Sequence, residues 1–357
     1  ILLNYQTPQL RSTQNSLSQD EFAVFSIQAN YAGRSFLISK NEVRIFPTLG
    51  RIGLSNLSTK LRESMDPEKE YNLDVANRIY QQQYYFLESF VPKSSIILFF
   101  EEEEFSMPPS VLVKSYDRSQ SYRKALLSAE FLVEDYIFAS IYQLPKSSRD
   151  MKQYSKKFLG LGNSSTYKAL GLPNLYNVNE EIIQLALASN GQAEDLLLNQ
   201  NATKDNFLKK INQAYERIVI STHSVPKNWN GLTTEPALVM NSARDDYFLT
   251  PSEIINTEIS SEMIVLSSCN SSVLGSKKLF KSFLIAGAKS VLHSNWDLQS
   301  EFASEFTNEF FKALWFSSSE KHVALRNVSL KFLNDYSNEI YRHPVFWGNF
   351  SVAYRET

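Results

Sequence analysis

Cysteine occurs once in this chain, so no intrachain disulfide can form and the composition fits a reducing compartment, the cytoplasm being the expectation. One cysteine and four scattered histidines offer no zinc constellation, and neither a metal nor a cofactor is expected. Long apolar runs are missing too. Nothing approaches the roughly 20 residues that cross a bilayer, and no secretory signal opens the chain, so no membrane partner is expected. An excess of either charge is absent, with 36 basic against 38 acidic residues and a net charge of −2. Direct nucleic-acid binding therefore has no electrostatic basis here. Glycine is sparse where a nucleotide loop would need it: residues 157–165 carry Gly160 and Gly162 but no third glycine and no immediate helix, which reads as a strand and loop. The first residue is Ile1 rather than methionine, and the chain reads as a domain excised from a longer protein.

What is present is a large apolar share, 43% of 357 residues, enough for one large or two ordinary domains. Residues 1–19 are polar and read as a linker from a preceding module. Residues 22–28, 35–39 and 42–46 alternate in the manner of a β meander, and residues 54–65 and 73–90 read as helices. Residues 94–100 form a short apolar strand that runs into Glu101-Glu102-Glu103-Glu104, read as a solvated loop. Residues 131–144 hold further strand material. From residue 156 onward, strands alternate with helices at about 179–190, 204–215, 300–315 and 321–337, and residues 345–353 read as a last strand with Trp347 as its anchor. That βαβ rhythm predicts an α/β fold whose mostly parallel sheet has helices on both faces.

Two runs stand out, Ile218-Val219-Ile220-Ser221-Thr222-His223-Ser224 and Ile264-Val265-Leu266-Ser267-Ser268-Cys269-Asn270. Each is a β-branched apolar stretch that stops at small polar residues, as buried parallel strands do at a sheet edge. The carboxyl ends of such strands border the crevice where open α/β sheets bind ligands. Taken singly, Cys269 reads as a small buried hydrophobe and His223 as a satisfied group. Taken together, 46 positions apart after matching strands, they also read as a thiol nucleophile with an imidazole that activates it. His293 reads as packed within a strand, His322 as lying on a helix face and His343 as a turn residue before a proline.

These boxes, IVISTHS and MIVLSSCNSS, resemble the CHAT family of caspase-like proteins, in the clan of caspases, separase and gingipains. Further landmarks fall in the family's order: Glu235-Pro236-Ala237-Leu238, Leu249-Thr250-Pro251-Ser252-Glu253-Ile254, Phe283-Leu284-Ile285-Ala286-Gly287-Ala288, Ser294-Asn295-Trp296-Asp297, and His343-Pro344-Val345-Phe346-Trp347-Gly348-Asn349-Phe350. The resemblance extends from about Ser16 to the carboxyl end. It implies a caspase-like three-layer αβα sandwich over residues 156–357, preceded by an inert caspase-like half with the meander over residues 20–155.

The resemblance further implies a cysteine endopeptidase. His223 would be its general base and acid and Cys269 its nucleophile, with the backbone N–H groups of Ser224 and Cys269 as the oxyanion hole. The family favours glycine where this chain has Ser224. Asp297, Trp296, Asn270 and Ser268 are the expected substrate contacts, Asp297 being equally a helix cap. A protein substrate, a regulatory partner or flanking helical-repeat module, and a role in bacterial defence or signalling are implied in the same way. A catalytically weak scaffold for protein interaction is the alternative.

Overall fold

The structure is a computed structural model that describes residues 8–100, 107–142, 153–164, 170–242, 246–267, 277–297, 300–317, 320–335 and 339–355. The chain divides into two compact units, one of residues 1–142 and 320–348 and the other of residues 143–319 and 349–357.

The first unit opens with helix α1 (Pro8–Ser16) and the meander β1 (Glu21–Gln28), β2 (Ala32–Ile38) and β3 (Val43–Leu49), all antiparallel, as the alternation predicts. Helices α2 (Arg51–Arg62), α3 (Leu73–Gln83) and α4 (Leu87–Phe90) follow. Asn72 starts α3 by accepting a hydrogen bond from the Val75 N–H at 3.0 Å, and its buried face is Leu73, Ala76, Ile79 and Tyr80. Strand β4 (Ile96–Phe100) lies parallel to β1. A two-stranded ribbon of β5 (Val113–Ser115) and β6 (Glu130–Phe131) flanks α5 (Tyr122–Leu127), and α6 (Leu132–Asp135) precedes β7 (Ile137–Tyr142), which is parallel to β4. The strand order within this unit is β3-β2-β1-β4-β7.

The second unit contains β8 (Lys156–Gly162), α7 (Val178–Ala188), β9 (Leu196–Leu198), α8 (Lys204–Ile211) and β10 (Tyr215–Ser221). A small antiparallel sheet of β11 (Ser224–Val225), β12 (Ala237–Val239) and β13 (Phe248–Leu249) comes next. Then come α9 (Pro251–Ile255), β14 (Met263–Leu266), α10 (Lys277–Ala286), β15 (Ser290–Ser294) and α11 (Ser300–Ser317). The main sheet of the unit runs β16-β15-β14-β10-β8-β9, parallel except for the last strand of the chain, β16 (Phe350–Arg355). Every residue of β14 and β15 is buried, so the sheet is covered on both faces, which is why these strands read as unbroken apolar runs. The fold is α/β with a mostly parallel sheet, as the strand–helix rhythm predicts.

Residues 320–348 return to the first unit as α12 (Lys321–Leu333) and α13 (Pro344–Trp347). Arg326 donates to the carbonyls of Val133 at 2.8 Å and Glu134 at 2.6 Å, and Ser329 Oγ donates to the Trp347 carbonyl at 2.8 Å. Trp347 is a helical residue, whereas the apolar run from 345 to 353 predicts a strand there. His343 and Pro344 explain the difference. The imidazole Nδ1 accepts from the Val345 N–H at 3.1 Å and proline occupies the first helical turn, so the segment is capped as a helix before β16 begins at Phe350.

Burial pushes the pKa of His343 from 6.5 down to about 4, against weaker opposing effects of the Lys69 backbone and the Asp66 carboxylate. The unfolded chain takes up this proton near pH 6.5 and the folded one only near pH 4. Stability contributed by neutral His343 is thus full above pH 6.5 and is lost as pH falls through 4, by about 3 kcal/mol. His343→Asn keeps a capping acceptor and is expected to flatten that acid slope in urea unfolding at pH 7 and 4.5. An unchanged slope would show that His343 protonates at its ordinary pKa in the folded chain.

Candidate active site

β10 and β14 lie side by side and in register, Ile218 opposite Ile264 and Ile220 opposite Leu266. Their carboxyl ends stay joined one step further, where the Ser267 N–H donates to the Ile220 carbonyl at 2.9 Å and Ser221 Oγ reaches the Ser267 carbonyl at 3.4 Å. On the other side Ser221 is opposite Gly162 of β8, and the Asn163 N–H donates to the Ser221 carbonyl at 3.2 Å. The strand end that leads to the imidazole is thus fixed from both sides.

Past Ser221 the chain turns into the small sheet. Thr222 Oγ1 donates to the Val239 carbonyl, and the Val239 N–H donates to the His223 carbonyl at 2.8 Å. These bonds hold the His223 backbone. Nε2 lies 2.8 Å from the carbonyl oxygen of Pro173. A carbonyl only accepts, so Nε2 carries the proton and Nδ1 is the basic nitrogen. Burial pushes the His223 pKa below 6.5, with the Pro173 hydrogen bond opposing it, so the ring is neutral at physiological pH and able to take a proton.

Pro173 has no counterpart in the sequence reading. Its loop is held by an apolar cluster of Leu175, Val178, Val225, Ala237 and Val239, with Leu170, Leu172, Trp229 and Phe248 packed against it. The Leu175 N–H also donates to the Ser164 carbonyl at 3.2 Å. A backbone acceptor leaves no residue-type signature; only the leucine spacing of residues 170–175 hints at a packed loop.

Of the residues singled out from sequence, His223 is 8% exposed and Ser224 6%. Trp296 is buried, and its N–H donates to Asn349 Oδ1 at 3.0 Å. Asp297, the next residue, is exposed. His293 is stacked on Phe280 with ring centroids 3.9 Å apart. Ser268, Cys269 and Asn270 lie outside the described residues, as do Glu101, Glu102, Glu103 and Glu104. Among the described residues no cluster of three or more histidines and acids could hold a metal ion, and no helix is long and apolar enough to cross a membrane.

The Thr250-Pro251-Ser252-Glu253 landmark has a structural explanation. Thr250 and Glu253 form a reciprocal capping box at the start of α9, with the Thr250 N–H donating to Glu253 Oε2 at 2.9 Å and Pro251 in the first turn. Lys204 fixes the other carboxylate oxygen at 2.9 Å.

Residues 74–356 match the family model described as CHAT domain. No curated protein matches the chain. Among solved structures, the Arg-specific cysteine proteinase gingipain R is 10% identical over 82% of this chain and 69% of that one, with a TM-score of 0.45. The complex of Porphyromonas gingivalis RgpB pro- and mature domains gives 9% identity over 85% of this chain and 74% of that one, at a TM-score of 0.44. The Saccharomyces cerevisiae separase–securin complex gives 13% and 0.43, over 81% of this chain and 17% of that one.

Proposed function

Because the chain belongs to the CHAT domain family, we propose that it is a cysteine endopeptidase with His223 as base and acid and Cys269 as nucleophile. The observation that carries this reading is the His223–Pro173 hydrogen bond. It orients a neutral imidazole whose basic nitrogen is Nδ1, at the end of a strand whose neighbour, β14, is followed directly by Ser267, two positions before the only cysteine of the chain.

The chemistry follows from these groups. Nδ1 takes the thiol proton and the thiolate attacks the peptide carbonyl. The C–N bond then breaks as the imidazolium returns its proton to the leaving amine, and water hydrolyses the thioester. The N–H groups of Ser224 and Cys269 hold the oxyanion. Asp297 is exposed just beyond β15, which supports a role in receiving a basic side chain; Trp296, Asn270 and Ser268 complete the proposed substrate contacts. The same resemblance leads us to propose a protein substrate, control by a partner or flanking module, and work in a bacterial cytoplasm in defence or signalling. A non-catalytic scaffold is the second reading, favoured by Ser224, which stands buried where the family favours glycine.

Cys269→Ala decides between them. The wild type, incubated with a proteome-derived peptide mixture, is expected to yield new peptide termini by mass spectrometry that the variant does not yield. Identical peptide patterns from both would leave the scaffold.

A further inference from the structure

His223 is held at two places in the second unit, its ring by the Pro173 carbonyl and its own carbonyl by the Val239 N–H. Both anchors lead to one residue outside the site, Asn199, which directly follows the edge strand β9. Towards the ring, Asn199 Oδ1 accepts from the Ser164 N–H at 3.1 Å and from Ser164 Oγ at 2.8 Å. Ser164 in turn grips the chain just after Pro173 twice. Its carbonyl accepts from the Leu175 N–H at 3.2 Å, and its Oγ accepts from Asn179 Nδ2 at 3.1 Å. Towards the backbone, the Asn199 carbonyl accepts from Asn241 Nδ2 at 3.0 Å, and the Asn241 N–H donates to the Ala202 carbonyl at 2.9 Å. Asn241 stands two positions after Val239, the last residue of β12.

The residue type suits this double task. The φ of Asn199 is 47°, a left-handed conformation that asparagine adopts more readily than most residues, and glycine in its place would bring no side-chain acceptor. The apolar cluster around Leu175 packs the Pro173 segment against the small sheet, but apolar packing is non-directional. The imidazole bond is directional and weakens steeply when misaligned, so the Pro173 carbonyl needs a fixed aim as well as a fixed place. We propose that Asn199 is a positioning residue for His223. Its amide oxygen sets, through Ser164, the aim of the carbonyl that orients the ring, while its backbone carbonyl ties the same segment to the strand that holds the His223 main chain.

The inference rests on the peptidase reading for its purpose but is tested apart from it, because the proton on His223 Nε2 can be followed by NMR in the intact chain without substrate. Its signal is assigned by its disappearance in His223→Gln. In the wild type this proton is expected to exchange slowly with water, being bonded to Pro173 within a residue that is 8% exposed. Asn199→Gly tolerates the left-handed backbone and removes the acceptor, and is expected to exchange the proton roughly tenfold faster, the equivalent of one hydrogen bond lost. Asn199→Asp keeps the acceptor and is expected to retain the wild-type rate. Ser164→Ala removes the hydroxyl that bonds Asn199 and Asn179, is expected to match Asn199→Gly, and serves if that variant does not fold. A wild-type rate in folded Asn199→Gly, or equal acceleration in Asn199→Asp, overturns the proposal, as does a wild-type proton that exchanges too fast to be seen. Peptide cleavage is read in parallel. Faster exchange in Asn199→Gly with no cleavage by the wild type upholds the role of Asn199 and removes the peptidase, whereas wild-type cleavage with unchanged exchange does the reverse.

Discussion

His223→Gln is expected to lower kcat/KM for peptide cleavage by roughly 10²–10⁴-fold, the usual worth of a positioned general acid and base. The amide keeps an N–H that can reach the Pro173 carbonyl, so the fold is preserved and the loss falls on proton transfer. The pH profile separates this from a structural defect. Burial holds the His223 pKa below 6.5, so the neutral form persists under mildly acidic conditions. The acid limb of the wild-type kcat/KM is therefore expected to lie below the position of an ordinary imidazole, and the variant is expected to lack that limb. Steady-state cleavage of one fluorogenic peptide from pH 4.5 to 8 measures both effects. A variant with wild-type turnover would exclude His223 from the chemistry.

The largest stability effect is expected at Gly287. It ends α10 with φ of 127°, and the Ala288 N–H reaches back to the Phe283 carbonyl at 3.0 Å, the five-residue return that closes a helix on glycine. A Cβ at this position would stand 2.1 Å from the Ile259 carbonyl oxygen, which is backbone and has no flexible end to yield. The Ile259 N–H meanwhile donates to the Ala286 carbonyl at 2.9 Å, so moving that peptide breaks a bond as well. Backbone strain of about 1–3 kcal/mol and the displaced peptide together predict that Gly287→Ala costs about 4 kcal/mol, a large part of a typical domain's stability. Gly171 is the control: its φ is 68°, but nothing lies within 4 Å of a built Cβ, so Gly171→Ala is expected to cost only about 1 kcal/mol. Urea unfolding of the two variants at pH 7 compares them, and equal midpoints would mean that the close contact with Ile259 carries no energy.

How far residues reveal structure here depends on whether they act through side-chain pattern or through backbone. β10 and β14 are legible because a strand covered on both faces must be apolar throughout, and His223 is legible because it breaks such a run. The Thr250–Glu253 cap is visible as a spacing of three with proline between. The Pro173 carbonyl is not visible, since every residue has one and only the loop's path makes this one an acceptor for the imidazole. Glu181 escapes for another reason: a glutamate within a helix reads as a solvated position, and only its place among Val178, Ile182 and Leu185 turns it inward. The helix at Pro344–Trp347 was legible in retrospect from His343 and Pro344, but the apolar residues around Trp347 read equally as a strand.

The return of residues 320–348 to the first unit also sets a timetable for biosynthesis. Arg326 and Trp347 dock onto a body whose other residues end at Tyr142, the first on the Val133 and Glu134 carbonyls and the second on the Phe131 ring, so that body is incomplete until the whole stretch between has left the ribosome. At typical elongation rates of about 5–20 residues per second the wait is roughly 10–40 s. During that interval the surfaces awaiting α12 stay open to water and to chaperones, and a chain cut short before residue 320 leaves them so permanently.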